Sequence, residues 1–499
     1  MTAHLAIDGP AAPPRSNGEL VFAAPWESRA FGMAVSLHEA GAFERATFQA
    51  ALIARIAAWE AAPEGEWSYY EHWLGALEDV LAGDGTVPAG ELDARGGARR
   101  PPCRTRPRGS RPRRPRALIC EDHVVSARDA ALVRLGEERA AALLPQPPDR
   151  PLDRASLLRV FAGLRDTGFL GSTLPPERGG MSHSAFGSLV EGVGGGLPFL
   201  SNHSVQRYLH ASGSDGVCAR WLPPLLAGRA IGLVAITEPH GGSQVADVRA
   251  EVRRTAEGLR LYGAKTWLVH ATVAHVAVVL ARGPDGAPVR VVVDLDGPGV
   301  RRAPMPTNGL RYLPFGSLEF DGCPVPDDAV LAGDGVAATK IGFAVARSLV
   351  GVQAVALAQR ALTHTVYRLA GRTARGRPVT SSDVVRHRVG AMAGRVEAAR
   401  LLCYEALAGV DDARPGCDAL AAAAKVLGTD VARDVTTECV ELCAGAGAAA
   451  DSVPARCRDD AALLATADGT SLVNQTIWGG YVVRELLRER PDLRQGPEA

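Results

Sequence analysis

The chain has 499 residues, of which 46% are hydrophobic and 22% are charged, a composition typical of a globular protein with about three domains. Basic and acidic residues both number 55, so no net charge favours nucleic acid or an anionic membrane as a partner. The most apolar stretch, residues 341–362, contains Arg347 and Arg360, so we expect no membrane-spanning helix.

The cysteines and the first residues bear on the cellular compartment. The nine cysteines are scattered without paired short spacings, which indicates free thiols in a reducing cytoplasm. The N-terminus lacks the basic and then apolar pattern of a signal peptide. We therefore predict a cytoplasmic protein.

The first hundred residues divide into three segments. Residues 1–19 are predicted to be disordered. Residues 20–95 are predicted to be helical, because apolar residues recur there at helical spacing and break at Gly41 and at 61–65. Residues 96–117 contain nine arginines, five prolines and no acidic residue, which predicts a disordered linker. An anion-binding arm is the less favoured interpretation of the same segment.

The rest of the chain changes its periodicity twice. Residues 118–232 have a helical pattern, and residues 233–335 consist of short β-branched or alternating runs separated by Gly, Pro and Asp, which predicts a sheet or small barrel. Residues 336–490 return to long helices rich in alanine and leucine, and 491–499 form a tail. The predicted fold class is α+β, mainly α: a helical domain, a β domain and a C-terminal four-helix bundle.

Six short strings in this region occur in one characteristic order. They are TEPHGGS at 237–243, KTWLV at 265–269, FGSLEFDGCPVPDDAVL at 315–331, RTARG at 372–376, ELCAGAG at 441–447 and ADGT at 467–470. Together they resemble the motifs of the acyl-CoA dehydrogenase superfamily of flavoproteins, over residues 118–490. The resemblance implies an oxidoreductase that uses FAD.

The resemblance also implies which residues contact FAD. Gly242 and Ser243 allow backbone N–H groups to approach an anion or a flavin carbonyl, and Trp267 offers a flat apolar face to the ring. Each alone would be interpreted as an ordinary turn or a core tryptophan. The cofactor contacts implied within one chain are Ile236, Thr237, Gly242, Ser243, Trp267, Leu268, Val269 and Thr470. Arg372, Glu441 and Gly445 are implied to reach the flavin of a neighbouring subunit, which predicts a homodimer or homotetramer.

The family chemistry needs a carboxylate that removes the α-proton of an acyl thioester, carried by coenzyme A or a carrier protein, while the β-hydride passes to flavin N5. The corresponding position holds Asp468 in place of glutamate, and its side chain is shorter by about 1.5 Å. Ala346 occupies the position at which some family members carry the base instead, so no second base is found. Ser243, Phe343 and Arg347 are the implied substrate contacts.

Several residues depart from the family pattern, and they leave other functions open. These residues are Val269 for threonine, Ala344 for aspartate, Ala467 for an aromatic residue, Arg375 for phenylalanine and Glu441 for glutamine. An aspartate at position 468 occurs in the nitroalkane oxidase branch, so a nitroalkane-oxidase-like reaction is one alternative. A second interpretation makes Asp468 a helix-capping turn residue with no catalytic role.

The N-terminal segment carries a different resemblance. The strings PWESRAF at 25–31, LHEAG at 37–41 and YYEHWLGALE at 69–78 resemble the helical N-terminal domain of nitrile hydratase β subunits and accessory proteins, over residues 20–95. The C-x-x-C-S-C metal cluster of the partner α subunit is absent from this sequence. This segment alone therefore cannot hydrate nitriles; it either binds a nitrile hydratase-like partner or is a structural remnant. A non-catalytic protein that docks such a partner is a further alternative function.

No metal site is predicted. Cys439 and Cys443 lie in an apolar helix pattern and are interpreted as core residues. His38, His72 and Trp73 are interpreted as packing residues of the N-terminal segment.

Overall fold

The computed structural model describes residues 12–16, 19–20, 25–39, 41–61, 67–83, 128–145, 148–172, 174–194 and 200–489. The chain divides into two compact units, Met1–Arg114 and Pro115–Ala499. The predicted linker at 96–117 and the predicted tail at 491–499 lie outside the described residues.

The described part of the first unit contains three helices with their own core. Its helices are α1 (Pro25–Glu39), α2 (Arg45–Ala61) and α3 (Tyr69–Gly83). Trp73 is fully buried between them, and its indole Nε1 donates a hydrogen bond to the carbonyl of Ala30 at 3.3 Å. The packing role predicted for Trp73 is confirmed. A short antiparallel pair, β1 (Arg15–Ser16) with β2 (Glu19–Leu20), replaces part of the disorder predicted for residues 1–19.

The described residues of the second unit before the sheet form five α-helices, which agrees with the helical pattern predicted for residues 118–232. They are α4 (Ala130–Leu143), α5 (Arg154–Gly163), α6 (His183–Val193), α7 (Leu200–Ser212) and α8 (Asp215–Leu226). Four of them begin at a side chain that accepts a backbone N–H, which satisfies an end that the helix itself leaves open. These caps are Asp129, Asp153, Ser182 and Ser214.

A mainly antiparallel sheet follows, as predicted for residues 233–335. Its strands are β3 (Gly232–Ala235), β4 (Glu251–Thr255), β5 (Gly258–Leu268), β6 (Val276–Arg282), β7 (Pro288–Asp294), β8 (Val300–Pro304), β9 (Gly316–Val325) and β10 (Val330–Leu331). The strand order is β10-β7-β6-β4-β5-β9-β8, and β3 pairs in parallel with β6. The pairing of β5 with β9 changes register between Lys265 and Leu268. This β-bulge lies in the string that carries Trp267.

The C-terminal region is helical, as predicted for residues 336–490, and it contains five α-helices. They are α9 (Gly335–Ala370), α10 (Asp383–Asp411), α11 (Cys417–Leu442), α12 (Val453–Leu464) and α13 (Ser471–Glu489). A two-residue hairpin, β11 (Thr373–Ala374) with β12 (Arg377–Pro378), follows α9. Helices α9 and α11 cross closely, because a Cβ on Gly428 would lie 2.9 Å from the carbonyl oxygen of Gly351.

Helix α9 is the centre of this bundle. Its segment Gly342–Ala370 is long and apolar enough to cross a membrane by length and composition, but 78% of its most apolar window is buried inside the protein. The seven cysteines among the described residues are free thiols, and Cys439 and Cys443 are buried. The core role predicted for these two cysteines is confirmed.

Candidate active site

The loop after β3 is held in place by a buried ion pair. Glu238 is 4% exposed, and its carboxylate lies 2.7 Å from the ammonium of Lys265 on β5, which is fully buried. Lys265 also donates to the carbonyl of Ile236 at 2.9 Å. Burial acts to raise the pKa of Glu238, but Lys265 and two backbone N–H groups outweigh it and hold that pKa below its ordinary value. The pair therefore fixes residues 236–238 against β5.

The remainder of this loop folds back on Thr237. A Cβ on Gly242 would lie 2.9 Å from Cγ2 and 3.0 Å from Oγ1 of Thr237, closer than ordinary contacts allow. Glycine is therefore required at position 242 for the loop to adopt this shape. Gly242 and Ser243 are exposed, so their backbone groups can be approached from outside.

Trp267 lies at the bulge in β5 and has a backbone conformation that few residues adopt. Its φ is 57°, in the left-handed region, and its side chain is 56% exposed. The two residues after it point inward, since Leu268 is buried and Val269 packs against the core. An indole that is strained and uncovered contributes little to the stability of the fold, and such outliers concentrate at ligand sites.

These features fit a flavin. The exposed indole supplies a flat apolar face, and the glycine at 242 leaves an open backbone edge whose N–H groups are suitable donors for a carbonyl or phosphate oxygen. The N–H of Thr266 donates to the carbonyl of Thr237 at 2.9 Å, so the loop that contains Ile236, Thr237, Gly242 and Ser243 lies beside the strand end that contains Trp267, Leu268 and Val269.

Asp468 lies in the turn between α12 and α13. Its φ is 49°, and Gly469 follows with a φ of 92°. Thr470 directly precedes α13, and its Oγ1 accepts the N–H of Val473 at 3.4 Å. Helix capping therefore falls to Thr470, and the carboxylate of Asp468 accepts no hydrogen bond from the described residues.

The carbonyls of this turn are held by donors from three helices. Arg347 of α9 donates to the carbonyl of Asp468 at 3.2 Å. Lys425 of α11 donates to the carbonyls of Ala465 at 2.6 Å and Gly469 at 2.8 Å. Asn474 of α13 donates to the carbonyl of Gly469 at 2.8 Å. The turn is therefore rigid although its φ angles are unfavourable.

Three cations surround the carboxylate of Asp468. Burial raises the pKa of Asp468 above its ordinary value, although the positive charges of Arg347, Lys425 and Arg207 all act to lower it. The guanidinium carbon of Arg347 also lies 4.9 Å from the ring centroid of Phe343. The predicted base and two predicted substrate residues, Phe343 and Arg347, are thus brought together. A carboxylate with a raised pKa and no hydrogen bond is suited to accept a proton.

The β domain and this turn are connected through α12. The Thr266 hydroxyl donates to the sulfur of Met305 at 3.3 Å, and the segment after Met305 reaches α12, where the N–H of Leu310 donates to Asp460 at 2.5 Å. Asp460 lies eight residues before Asp468. Burial raises the pKa of Asp460 to about 6.

The remaining predicted cofactor contacts lie at the other end of the bundle. Arg372 is exposed at the start of the hairpin after α9, Glu441 pairs with Arg388 at 3.1 Å, and Gly445 lies in a turn after α11. Since α9 rises about 1.5 Å per residue, its end lies about 35 Å from Arg347. One chain therefore does not bring Arg372, Glu441 and Gly445 to the turn of Asp468.

Two residues that depart from the family pattern, Ala344 and Ala467, make apolar contacts in the structure. Ala344 is buried, and Ala467 packs against the core. Arg375 has a φ of 52° and Gly376 a φ of 76°, so they form the tight turn of the hairpin β11–β12.

Sequence reasoning missed Lys425 and Asn474 as parts of the site, and it treated Lys265 as a motif letter without a role. A compositional signal for the two lysines was available, because the chain contains three lysines against 52 arginines. No comparable signal marks Asn474.

Three family models match consecutive parts of the chain. The acyl-CoA dehydrogenase middle domain matches residues 234–323, and the acyl-CoA dehydrogenase C-terminal domain matches residues 333–479. The nitrile hydratase β subunit N-terminal model matches residues 7–117, a longer stretch than the predicted 20–95.

Curated relatives match the second unit. A benzylmalonyl-CoA dehydrogenase of Aromatoleum aromaticum is 29% identical over 68% of this chain and 92% of its own length. A probable acyl-CoA dehydrogenase of Mycobacterium bovis is 27% identical over 65% of this chain and 87% of its own. The human mitochondrial short-chain specific acyl-CoA dehydrogenase is 27% identical over 66% of this chain and 83% of its own.

Solved structures share the fold. Butyryl-CoA dehydrogenase from Megasphaera elsdenii aligns with a TM-score of 0.66 at 20% identity, over 73% of this chain and all of that one. An acyl-CoA dehydrogenase from Bacillus anthracis complexed with FAD aligns with a TM-score of 0.67 at 21% identity, over 75% of this chain and 69% of that one. The predicted fold class is confirmed. The second unit of this chain is similar to acyl-CoA dehydrogenases in sequence and in fold, and these similarities support an FAD-dependent oxidoreductase that acts on CH–CH groups.

Proposed function

We propose that this protein is an FAD-dependent dehydrogenase of acyl thioesters in which Asp468 is the catalytic base. The observation that supports the proposal is the environment of the Asp468 carboxylate. It lies in a turn held by Arg347, Lys425 and Asn474, it accepts no hydrogen bond from the described residues, and burial raises its pKa.

The cofactor of this proposal is FAD. Within one chain it is held by Gly242 and Ser243 through their backbone groups and by the exposed face of Trp267, with Ile236, Thr237, Leu268, Val269 and Thr470 around them. When bound, FAD supplies the acceptor for the β-hydride. Relatives crystallised with this cofactor include the Bacillus anthracis enzyme with FAD and a Mycobacterium smegmatis glutaryl-CoA dehydrogenase with FADH2.

The role of Asp468 is to take the α-proton of the bound acyl group. The carboxylate oxygen forms a bond to that proton as the α-carbon releases it, and the electron pair remains on the substrate as the β-hydride leaves. A raised pKa makes the carboxylate a stronger base, and rates rise with pH as the carboxylate ionises. Phe343 and Arg347 line the same side of the site, and Ser243 binds substrate from the flavin loop.

The assembly of the proposal is a homodimer or homotetramer in which each flavin also contacts a second subunit. Arg372, Glu441 and Gly445 lie at the end of the bundle remote from Asp468, which supports their use by a neighbouring subunit. The acyl carrier is coenzyme A or a carrier protein, and the free thiols support a cytoplasmic location.

The test is anaerobic reduction of the FAD-loaded protein by a panel of acyl-CoA, acyl-carrier-protein and nitroalkane substrates. We expect an acyl thioester to bleach the flavin. Asp468→Asn keeps the side-chain volume but removes the proton acceptor, so we expect reduction to slow by about 10²–10⁴-fold at unchanged flavin content.

The matched control is Asp460→Asn, which changes a second buried aspartate with a raised pKa on the adjoining helix. It should retain most of the reduction rate. An Asp468→Asn protein that reduces its flavin as fast as the parent would remove Asp468 from the mechanism. If only a nitroalkane reduces the flavin, the nitroalkane-oxidase-like alternative replaces the proposal of an acyl thioester dehydrogenase.

A further inference from the structure

Lysine is rare in this chain, and two of its three lysines lie buried in the candidate site. The sequence contains 52 arginines, and its lysines are at positions 265, 340 and 425. Lys265 and Lys425 are both fully buried. Lysine is almost never fully buried unless it is paired, and its ammonium is a compact point charge that the planar guanidinium of arginine does not replace. A chain that otherwise uses arginine therefore retains lysine at two positions beside its active-site loops.

The two lysines hold different loops. Lys265 pairs with Glu238 and donates to Ile236, so it fixes the flavin loop. Lys425 donates to the carbonyls of Ala465 and Gly469, which lie on either side of Asp468 in the chain. A single ammonium thus joins the end of α12 to the residue after the base, and it uses two of its three N–H donors to do so.

Lys425 lies about one helical turn from the close crossing of α11 with α9. Three positions along α11 from Lys425, Gly428 packs against Gly351 with no room for a Cβ. Helix α9 also contributes Arg347, whose guanidinium already occupies the other side of the Asp468 turn. The side chain of Lys425 reaches past this crossing to the turn between α12 and α13, where its ammonium binds the two carbonyls.

Lys425 and Asp468 also interact by charge. Burial lowers the pKa of Lys425 to about 8, and the negative charges of Asp468 and Asp430 oppose this shift while Arg347 adds to it. Burial raises the pKa of Asp468, and the positive charges of Arg347, Lys425 and Arg207 oppose this effect without outweighing it. These groups come from the Asp468 turn, from α9, from α7 and from α11 itself.

We propose that Lys425 is a positioning residue for proton transfer: its ammonium fixes the turn that carries Asp468 and places a positive charge beside that carboxylate. This inference rests on the proposed function, because it takes Asp468 as the base. It assigns Lys425 no contact with substrate or flavin.

The first test measures the charge coupling without any activity. Lysine labelled with ¹³C at Cε gives three signals in this chain, and Lys425→Arg and Lys340→Arg assign them. We expect the Lys425 signal to titrate near pH 8 in the parent protein and at lower pH in Asp468→Asn, where the opposing negative charge is lost. Asp460→Asn, which removes a buried carboxylate that does not face Lys425, should leave the midpoint unchanged. An unchanged midpoint in Asp468→Asn would overturn the coupling.

The second test separates positioning from general stability. In Lys425→Met we expect near-normal flavin content, a 10–100-fold slower flavin reduction, and a midpoint of the rising pH limb that moves to higher pH because a cation near Asp468 is gone. Lys265→Met should instead lower flavin content and leave that midpoint in place. A slower rate with an unmoved midpoint in Lys425→Met would reduce Lys425 to a structural role and overturn the proposal.

Lys425→Gln, which keeps a donor without the charge, replaces Lys425→Met if the latter does not fold, with the same expected shift of the midpoint. If no substrate reduces the flavin of the parent protein, the proposed function fails. The ¹³C titration still decides whether Lys425 and Asp468 are coupled.

Discussion

At the scale of single residues, Trp267 combines an uncovered indole with a left-handed backbone. A non-glycine residue in this conformation costs about 1–2 kcal/mol, and its 56% exposed side chain recovers little of that cost by burial. The strained conformation of Trp267 is therefore explained by contact of its indole with a ligand, which we propose to be the flavin.

Trp267→Asn tests this interpretation, because asparagine tolerates the left-handed region. We expect the flavin-free protein to gain up to about 1 kcal/mol in its free energy of unfolding, measured by denaturant titration, while flavin affinity falls. Ala413→Asn is the control, since Ala413 is also left-handed, with a φ of 50°, and lies away from the site. It should gain stability without changing flavin affinity. Unchanged flavin affinity in Trp267→Asn would exclude the indole as a flavin contact.

Single residues also show why the sequence predicted the flavin loop but not the role of Lys425. Glycine, serine and tryptophan of the flavin loop occur in contiguous strings, so their order along the chain identifies them. Lys425 acts on carbonyls 40 and 44 residues away in the sequence, and any residue supplies a carbonyl. Because Lys425 binds the backbone carbonyls of Ala465 and Gly469, the residue types at these two positions do not reveal the contact.

At the scale of elements, apolar alternation predicted the interior strands but not those with charged faces. β6 is buried along most of its length and reads as a continuous apolar run. β4 and β8 have mostly exposed residues and contain paired arginines, so their sequences resemble loops. They form strands because neighbouring strands supply hydrogen bonds along their length, a tertiary effect that local sequence does not encode.

The junction between α6 and α10 depends on one carboxylate. Asp411, near the end of α10, accepts hydrogen bonds from the backbone N–H groups of His183 and Ser184 at the start of α6, and from both side chains. Burial acts to raise the pKa of Asp411, but these donors outweigh it and lower the pKa to about 2. Asp411 thus joins α6, in the helical region before the sheet of the second unit, to the C-terminal bundle.

This junction predicts a pH dependence of stability. The pKa of Asp411 is lower in the folded state than its ordinary value of 3.8, so the ionised carboxylate stabilises the fold above about pH 4. That stabilisation is lost as the pH falls from about 4 towards 2. After allowance for partial exposure, we expect it to be about 1–2 kcal/mol.

Asp411→Asn should lower the free energy of unfolding at pH 7 by about this amount and flatten its fall between pH 4 and 2. Denaturant titrations over this pH range measure both effects. Asp383→Asn is the control, because Asp383 is 96% exposed in its pair with Arg386. An Asp411→Asn protein with the acid sensitivity of the parent would show that other carboxylates determine it.

At the scale of the whole molecule, the two units have separate hydrophobic cores. One core contains Phe48 and Trp73, and the other extends from Leu157 to Leu464. We therefore expect residues 115–499 to fold alone, with the same flavin content, oligomeric state and reduction rate as the full chain. Chromatography, absorbance and stopped-flow reduction measure these. Loss of flavin on deletion would show that the first unit contributes to the site, and loss of a co-purifying nitrile hydratase-like subunit would support its predicted docking role.

The separation of the predicted site residues along α9 gives a prediction for the assembly. Asp468 lies beside Arg347 in the first half of α9, and Arg372 follows the end of this helix, about 35 Å from Arg347. If each flavin contacts Asp468 of one chain and Arg372 of another, Arg372→Ala and Asp468→Asn damage different chains of the same site. A dimer that contains one chain of each kind then has one site with both residues intact and one site with neither.

Refolding the two inactive variants together should therefore restore activity. Random pairing makes about half of the dimers mixed, and one of their two sites is intact, so we expect about a quarter of the parent reduction rate per flavin site. Each variant refolded alone should stay inactive, and a mixture of Asp468→Asn with the double variant should stay inactive as well, because no chain then supplies an intact Asp468. A mixture of the two single variants that remains inactive, although mixed dimers are present by mass spectrometry, would show that Arg372 acts within its own chain or has no role in the site.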